Sequence, residues 1–283
     1  MEAFPRTDIG GISVPRLICG TNSIWACSHI SAARDRLIKD LFDTPAKAAD
    51  VFEIFARRGC NAFLSGSLEF FSQALRETEQ RTGIEMIWIA TPWSDENIAD
   101  PQEAWRKAVD ETKALGAQIC LPHGAETDVL LDRMNQRLTP RLAENLRYVR
   151  EVGMIPGLST HTPQTILCAD NMEEDLVDTY LQPYNAAGFL CEVETDWVQH
   201  IITHAKNPVI CIKPLAAGRL MPPTGLNFVW NTIRDCDMVC LGIMSKYEAE
   251  ESIDLSLAIL EKRQSEVPLQ KTRSKKLLAK KEG

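Results

Sequence analysis

The sequence predicts an α/β fold of the (β/α)₈ TIM-barrel type, in which eight parallel strands alternate with eight helices. Eight short apolar runs recur along the 283 residues, and segments with helix start and stop signals separate them. No glycine-rich GxGxxG segment follows the first run, as it does in open dinucleotide-binding sheets. Eight strand–helix units joined by right-handed crossovers close most economically into a barrel. A doubly wound open sheet is the structural alternative.

The apolar runs are continuous and do not alternate with polar residues. Continuous runs are typical of parallel strands covered on both faces, whereas a half-exposed antiparallel strand alternates apolar and polar side chains. We therefore predict one strand in each of the runs 16–21, 61–66, 86–91, 117–122, 155–160, 176–181, 208–213 and 237–242.

Helix signals flank the segments between the runs. In the first of these segments Thr44 is a candidate N-cap, Pro45 suits the first turn, and Gly59 is a candidate C-cap. Comparable patterns predict helices within residues 44–59, 100–116, 160–171 and 245–263.

Two stretches fall outside this repeat. Residues 26–43 lengthen the first strand–helix connection and are long enough to form a lid over the barrel mouth. Residues 264–283 form a strongly basic tail after a single barrel domain predicted over residues 1–263. Two interpretations of the tail stay open: a solvated or packed terminal helix, or an anchor for an acidic partner such as another subunit in a homo-oligomer.

Composition narrows the classes of function. The 31 Lys and Arg against 39 Asp and Glu give a net charge of −8, which does not favour a phosphate-tracking surface, so no nucleic-acid partner is predicted. No apolar run approaches the roughly 20 residues that span a bilayer, and the first residues do not resemble a secretory signal. The nine cysteines contain no CxxC pair, which favours reduced thiols in a cytoplasmic protein.

Seven segments carry a resemblance to a known family. They are FPRTDIGGISVPRLICGT (4–21), RRGCNAFLSGS (57–67), LPHGAETD (121–128), GLSTHTP (157–163), YNAAGF (184–189), KPLAAGRL (213–220) and GIMSKYEAEES (242–252). In this order they resemble segments of the aldo/keto reductases, NADPH-dependent oxidoreductases, over roughly residues 4–262. The resemblance implies a TIM barrel that begins with a β-hairpin.

The catalytic residues of that family are mostly replaced. Its members use an Asp, a Tyr, a Lys and a His, and the Tyr donates a proton to the carbonyl oxygen while hydride arrives from NADPH. The position of the Asp is Leu64 and that of the Lys is Pro92, whereas His123 is retained. The loop that carries the Tyr is missing, because residues 67–75 already have a helical pattern. Without the general acid, which typically supplies ~10²–10⁴-fold, we do not expect the family's own proton relay.

The resemblance also implies a cofactor site for NAD(P)H. Ser159 matches the serine that holds the nicotinamide amide, and Thr160 stands where the family has Asn. The other positions facing the cofactor are Lys213, Leu215, Gly218, Arg219, Gly242, Ser245 and Glu251. Ser252 replaces the usual Asn. Two interpretations stay open: retained nucleotide binding, or residues that preserve only the geometry of the barrel loops.

Barrel enzymes act at the carboxyl ends of their strands, where this sequence places several polar and aromatic residues. We predict a small-molecule pocket that contains Trp25, Trp93, His161, Tyr184 and Asn185. In the leading hypothesis His123 orients or protonates the ligand and Lys213 is the second catalytic group. Both follow strands of the same barrel, so we expect them to meet at one rim.

Three alternatives to this mechanism stay open. His123 and His161, with Glu126 or Glu192, would suit a metal-assisted lyase, isomerase or hydrolase. A lysine of lowered pKa at position 213 would act as a base or as a Schiff-base nucleophile without any cofactor. A non-catalytic sensor or scaffold would bind a ligand without turnover.

Overall fold

The computed structural model describes residues 4–267 and contains a closed barrel of eight parallel strands. A hairpin of β1 (Arg6–Ile9) and β2 (Ile12–Pro15) precedes it. The barrel strands are β3 (Leu17–Gly20), β4 (Ala62–Ser65), β5 (Ile87–Ala90), β6 (Ile119–Cys120), β9 (Ile155–Ser159), β10 (Thr179–Pro183), β11 (Val209–Ile212) and β12 (Met238–Gly242). The predicted TIM barrel and the amino-terminal hairpin are confirmed.

The ring closes because the last barrel strand pairs with the first. Strand β12 runs parallel to β3, with Val239 opposite Leu17 and Gly242 opposite Gly20. Strand β9 completes the circle by pairing with β6 on one side and β10 on the other. Seven of the predicted runs each contain one of these strands, and the sixth run, 176–181, overlaps β10, which begins at Thr179 and ends two residues beyond the run at Pro183.

Helices cover the outside of the barrel. They are α1 (Ala32–Leu41), α2 (Pro45–Arg57), α3 (Glu69–Thr82), α4 (Pro101–Leu115), α5 (Gly124–Val129), α6 (Pro140–Glu151), α7 (Gln164–Asp170), α8 (Thr195–His204), α9 (Pro222–Thr232) and α10 (Lys246–Leu260). Helix α1 lies in the long first connection, and α5 is followed by a small hairpin of β7 (Leu131–Asp132) and β8 (Arg137–Leu138) that the sequence analysis did not predict.

The predicted capping residues differ in how they act. The Asp100 side chain accepts hydrogen bonds from the backbone N–H groups of Gln102 and Glu103, which satisfies donors left free at the start of α4. Thr44 precedes α2 but makes no such bond, and Pro45 alone marks that first turn. Gly59 follows the C-cap Arg58 with a φ of 79°, a left-handed conformation that glycine adopts without steric cost.

Two apolar clusters divide the core. The inner cluster fills the barrel and joins it to the hairpin; it contains Ile9, Val14, Ile18, Ile89, Ile119, Leu181, Ile210 and Met238 among others. The outer cluster lies between strands and helices, where Phe63 stacks on both Phe52 and Trp88. Because the hairpin covers the amino-terminal end, with Gly10 against Ile155, the carboxyl-terminal end forms the mouth.

The structure of residues 4–267 also bears on the predictions that were made from the composition of the chain. All nine cysteines are free thiols, and six of them are buried. No helix within residues 4–267 is long and apolar enough to cross a membrane. The basic tail predicted over residues 264–283 lies outside the described residues from position 268 onward.

A substitution at Gly157 tests how tightly the barrel interior is packed. A Cβ at this position would lie 2.8 Å from the Leu121 side chain and 2.9 Å from the Thr179 backbone oxygen. We expect Gly157→Ala to lower the free energy of unfolding by about 1–3 kcal/mol, as overpacked cores do, in urea denaturation. The matched control is Gly66→Ala, because nothing lies within 4 Å of the Cβ there. Equal stabilities for the two variants would contradict this account of the interior.

Candidate active site at the barrel mouth

A cavity of about 360 Å³ opens at the carboxyl ends of β3, β11 and β12. Its floor and walls include Gly20, Leu64, Ile212, Lys213, Leu215, Cys240 and Gly242. The long first connection supplies the remaining side through Cys27, His29, Ile30, Arg34 and Ile38. Part of the stretch 26–43, for which a lid was predicted, therefore lines one side of the cavity.

Lys213 lies at the point where β11 ends and meets an imidazole. Its Nζ is 3.2 Å from Nε2 of His29, which comes from the covering connection. Among residues 4–267 no carboxylate pairs with this ammonium group, in contrast to Lys47 and Lys107, which pair with aspartates. Burial lowers the pKa of Lys213 from its ordinary value, and the nearby thiols of Cys27 and Cys240 oppose this shift only in part.

His29 receives two donors at one nitrogen. Besides Lys213, the Asn22 side-chain nitrogen lies 3.4 Å from the same Nε2. Two donors at one nitrogen require a lone pair there, so these contacts indicate a neutral imidazole with its proton on Nδ1. Burial and the positive charge of Lys213 lower the pKa of His29, which agrees with a neutral ring.

The backbone that holds Lys213 is strained. Lys213, Ala216 and Ala217 have φ values of 59°, 50° and 54°, in the left-handed region that residues with a Cβ rarely adopt. Each such residue costs about 1–3 kcal/mol and persists only where its surroundings hold it. The fold therefore maintains this position of the lysine against a local conformational cost.

A second pair of groups lies after β6 and β9. His161 Nδ1 is 3.3 Å from an oxygen of Asp128, at the end of α5, and its Nε2 has no hydrogen-bond partner among the described residues. The Asp128 carboxylate also accepts from the Thr160 hydroxyl at 2.5 Å and from the His161 backbone N–H at 3.2 Å. Burial raises the pKa of Asp128, but these hydrogen bonds outweigh burial, so the net pKa is lowered and the carboxylate is ionised.

The Asp128–His161 pair has the geometry of a general base. A carboxylate that accepts from Nδ1–H fixes the tautomer, which leaves a lone pair on Nε2. The backbone of Gly124 packs against the ring, where a Cβ would lie 3.1 Å from Nδ1. Packing and hydrogen bonding together therefore hold the orientation of the imidazole.

His123 is a neutral hydrogen-bond donor at this rim. Its ring stacks on Trp93 with 3.6 Å between centroids, and its Nδ1 accepts from the Ala125 backbone N–H at 3.2 Å. The proton of the neutral ring is thus on Nε2. Burial, followed by the positive charges of His161 and Lys213, lowers the pKa of His123 to about 4. His123 follows β6, His161 follows β9 and Lys213 follows β11, so all three lie at the carboxyl-terminal end of the barrel, although only Lys213 lines the cavity.

None of the five residues predicted for the pocket, Trp25, Trp93, His161, Tyr184 and Asn185, is among those that line the cavity. Trp25 and Trp93 are 48% and 58% exposed, and Trp25 also packs against Phe70 and Phe71. Tyr184 and Asn185 are fully buried, contrary to their predicted place in the pocket. The Tyr184 hydroxyl contacts Thr232 at 2.9 Å, and the Asn185 side chain bonds to the backbone of Phe189. These two residues stabilise the structure outside the barrel and are unavailable to a ligand in this conformation.

The two positions that correspond to the family's Asp and Lys carry side chains without polar groups. Leu64 lines the cavity, and Pro92 is buried. Helix α3 begins at Glu69, four residues after β4 ends at Ser65. This short connection leaves no room for a long loop over the mouth between β4 and α3.

The residues expected to contact NAD(P)H have varied surroundings. Lys213, Leu215, Gly218, Gly242 and Ser252 line the cavity. Other groups are engaged within the protein: Thr160 donates to Asp128, and the Arg219 guanidinium donates to the Ala216 carbonyl and lies 4.1 Å from the Phe189 ring centroid. Ser159 is buried beside Gly124, and Glu251 is exposed.

The amino terminus of α10 is already capped by side chains. The Ser245 hydroxyl accepts from the Glu248 backbone N–H at 3.2 Å, and the Glu248 carboxylate accepts from the Met244 N–H at 2.8 Å. A carboxylate there occupies a position that an anionic phosphate would take at a helix start. The residues present therefore do not fit a dinucleotide phosphate unless Glu248 moves away.

The carboxylates proposed for a metal site point to other partners. Glu126 accepts from the backbone N–H and the hydroxyl of Ser94 at 2.5 and 3.0 Å, and Glu192 accepts from the Thr162 hydroxyl at 2.8 Å. Within residues 4–267 no three His, Cys, Asp or Glu side chains converge as metal ligands. This geometry gives the metal-assisted alternative no support.

Sequence reasoning missed Asp128 and His29. Asp128 stands 33 positions before His161, and His29 stands 184 positions before Lys213, so neither pair has a local signature. The only available signal was position: His29 lies in the stretch predicted as a lid, and Asp128 ends the retained segment LPHGAETD.

Comparisons with known proteins support the fold. No protein-family model and no curated protein matches the sequence. The structure is similar to a putative aldo-keto reductase from Pseudomonas aeruginosa, with a TM-score of 0.62, 17% identity, and coverage of 90% of this chain and 95% of that one. It is also similar to the holo form of an aldo-keto reductase from Bacillus halodurans, with a TM-score of 0.60, 13% identity, and coverage of 94% and 99%.

The similarity extends beyond the reductases. Orotidine 5′-monophosphate decarboxylase from Methanocaldococcus jannaschii, solved with the inhibitor BMP, has a TM-score of 0.51 and 15% identity, and the match covers 75% of this chain and 92% of that one. The fold resemblance to aldo-keto reductases is thus confirmed, while at these identities the fold is compatible with more than one kind of chemistry.

The lowered pKa of His123 predicts a pH-dependent stability. The unfolded chain protonates this histidine near its ordinary pKa of 6.5, whereas the folded chain does so only near 4. Protons therefore bind preferentially to the unfolded state between these values, and stability falls as pH falls from 6.5 to 4. We expect the wild type to lose more unfolding free energy over this range than His123→Phe, which keeps an aromatic ring on Trp93 but cannot titrate. Urea denaturation at pH 7, 5.5 and 4.5 measures the difference; parallel pH profiles would contradict it.

Proposed function

We propose that this chain is an enzyme that binds a small molecule at the barrel mouth and transforms it by acid–base chemistry, without the Asp, Tyr and Lys relay of the aldo/keto reductases. The observation that carries the proposal is the Asp128–His161 pair, in which an ionised carboxylate orients an imidazole whose Nε2 is left without a partner. A positioned base of this kind typically contributes ~10²–10⁴-fold to a rate.

The other groups at the rim supply complementary roles. His123, neutral and with its proton on Nε2, suits hydrogen bonding to a carbonyl or hydroxyl oxygen of the ligand. Lys213 adds a second donor at the same end of the barrel. A base, a neutral donor and an amine at one end of a barrel favour proton abstraction next to a carbonyl group, the chemistry of isomerases and lyases.

Proton exchange in deuterated water tests this proposal without a known substrate. We expect the protein to accelerate exchange of the protons next to the carbonyl in at least one member of a panel of hydroxyketones, aldehydes and 2-oxo acids, followed by proton NMR. Asp128→Asn removes the charge that orients His161 and should lower the rate at least about tenfold. The matched control is Asp132→Asn on β7, a carboxylate bound to Asn135 and Arg137. Equal rates in the two variants, or no acceleration with any compound, would refute the proposed role.

A redox role with NAD(P)H is the second candidate function. It is favoured by the lining of the cavity with Gly218, Gly242 and Ser252, which stand at cofactor positions of the resembled family. The Glu248 carboxylate at the start of α10 opposes it.

Titration with NADPH and NADH separates the two candidates. The Glu248 carboxylate already accepts from the Met244 N–H, which a bound phosphate would need. We therefore expect no saturable fluorescence quenching of the wild type at millimolar cofactor. Glu248→Gln removes the repelling charge and should bind more tightly than the wild type; Glu250→Gln, also exposed on α10, is the control. Saturable micromolar binding by the wild type would favour the redox function instead.

A further inference from the structure

We infer that Lys213 is a nucleophile that forms a Schiff base with an aldehyde or ketone bound in the mouth cavity. The inference rests on the proposed function, since it names the substrate class and the covalent step of the same site. The observations that lead to it are the contacts of the amine, the state of the neighbouring imidazole and the lining of the cavity.

The surroundings of Lys213 favour a free amine. Its Nζ contacts an imidazole nitrogen at 3.2 Å, and no carboxylate among residues 4–267 stabilises its charge. An ammonium group without an anionic partner in a partly buried site is disfavoured relative to the neutral amine. The direction of the Lys213 pKa shift agrees, because burial lowers the value.

His29 is placed to move the proton that the reaction requires. Its Nε2 faces both Lys213 Nζ and the Asn22 amide, so the ring is held with a lone pair toward the amine. A neutral imidazole at this distance can accept a proton from the ammonium group. The same imidazole, once protonated, can return the proton to a leaving hydroxyl group.

The cavity suits a small carbonyl compound. Leu64, Ile212, Leu215, Leu220, Ile30 and Ile38 supply apolar side chains around its volume of about 360 Å³. An apolar lining limits access of water and thereby disfavours hydrolysis of an imine. The strained backbone at positions 213, 216 and 217 fixes where the amine enters this space.

The step balances without any oxidant or reductant. His29 takes one proton from the Lys213 ammonium, and the lone pair of the neutral amine forms a bond to the carbonyl carbon. The π electrons of the carbonyl move to its oxygen, which takes up a second proton from nitrogen to give a carbinolamine. Protonated His29 then donates to the hydroxyl group, water leaves, and a protonated imine remains on Nζ.

Reductive trapping tests the covalent step. The full-length protein is incubated with propanal, benzaldehyde or pyruvate and sodium cyanoborohydride, which converts an imine to a stable secondary amine, and peptide mass spectrometry locates the added mass. We expect at least one probe to modify Lys213 at least about tenfold faster than the exposed Lys39 and Lys246 of the same chain. No preference for Lys213 with any of the three probes would overturn the inference.

Variants separate the nucleophile from its proton acceptor. Lys213→Arg retains a positive charge but not a nucleophilic amine, so trapping at this position should be lost. His29→Gln removes the titratable ring and should slow trapping at Lys213 about tenfold, whereas His200→Gln, at an exposed position of α8, should not. Circular dichroism confirms that each variant is folded; a His29→Gln variant that is folded and trapped at the wild-type rate would overturn the role of His29.

The trapping experiment and the proton-exchange experiment can fail independently of each other. If the wild type catalyses proton exchange but Lys213 is not preferentially trapped, the Schiff base is refuted and the acid–base function stands. If Lys213 is trapped but no compound undergoes accelerated exchange, the amine is nucleophilic as inferred and the role of the Asp128–His161 pair is refuted.

Discussion

Closure of the barrel between β12 and β3 is the constraint on which the arrangement of the mouth depends. A buried polar network reinforces this seam at the amino-terminal end of the strands. Arg16 donates to the backbone oxygens of Asp237 and Arg234, each at 2.8 Å, while the fully buried Asp237 carboxylate accepts from the Val209 N–H and from the Arg234 guanidinium. A buried charge is tolerated because it is paired and hydrogen-bonded. The first, seventh and eighth barrel strands are thereby joined in a single register.

That register determines what meets at the other end. Gly20 and Gly242 are partners across the seam, and both line the cavity together with Lys213 from the next strand. A Cβ at Gly20 would lie 3.0 Å from the Cys240 sulfur and 3.2 Å from the Gly242 backbone nitrogen, so a larger residue would distort the seam itself. The three strands that are joined by the polar network at the amino-terminal end of the barrel therefore also form the cavity at its carboxyl-terminal end.

Several basic groups at the carboxyl-terminal end of the barrel have pKa values below their ordinary values. Three of the five histidines of the chain, His29, His123 and His161, lie at the carboxyl-terminal end of the barrel; His29 contacts Lys213, and Asp128 pairs with His161. Burial lowers the pKa values of Lys213, His29 and His123, and nearby positive charges add to the shift of the two histidines. Groups that are cationic in water are thus biased toward their neutral forms, in which they can accept protons or attack electrophiles. This bias supports the nucleophilic role inferred for Lys213, whereas the base proposed at His161 depends on its contact with Asp128.

The sequence alone predicts the strand runs, the helices α2, α4, α7 and α10, and the loss of polar side chains at Leu64 and Pro92, because apolar periodicity and capping act over a few neighbouring residues. It did not determine which face of a strand a side chain occupies. Tyr184 was expected at the mouth, yet it follows β10 on the outer face with Tyr180, while Leu181 points inward. Only the tertiary structure decided that His29 meets Lys213 and that Asp128 meets His161. The first contact joins residues that are 184 positions apart in the sequence, and the second joins residues that are 33 positions apart. Both distances depend on how connections of irregular shape pack over a closed barrel.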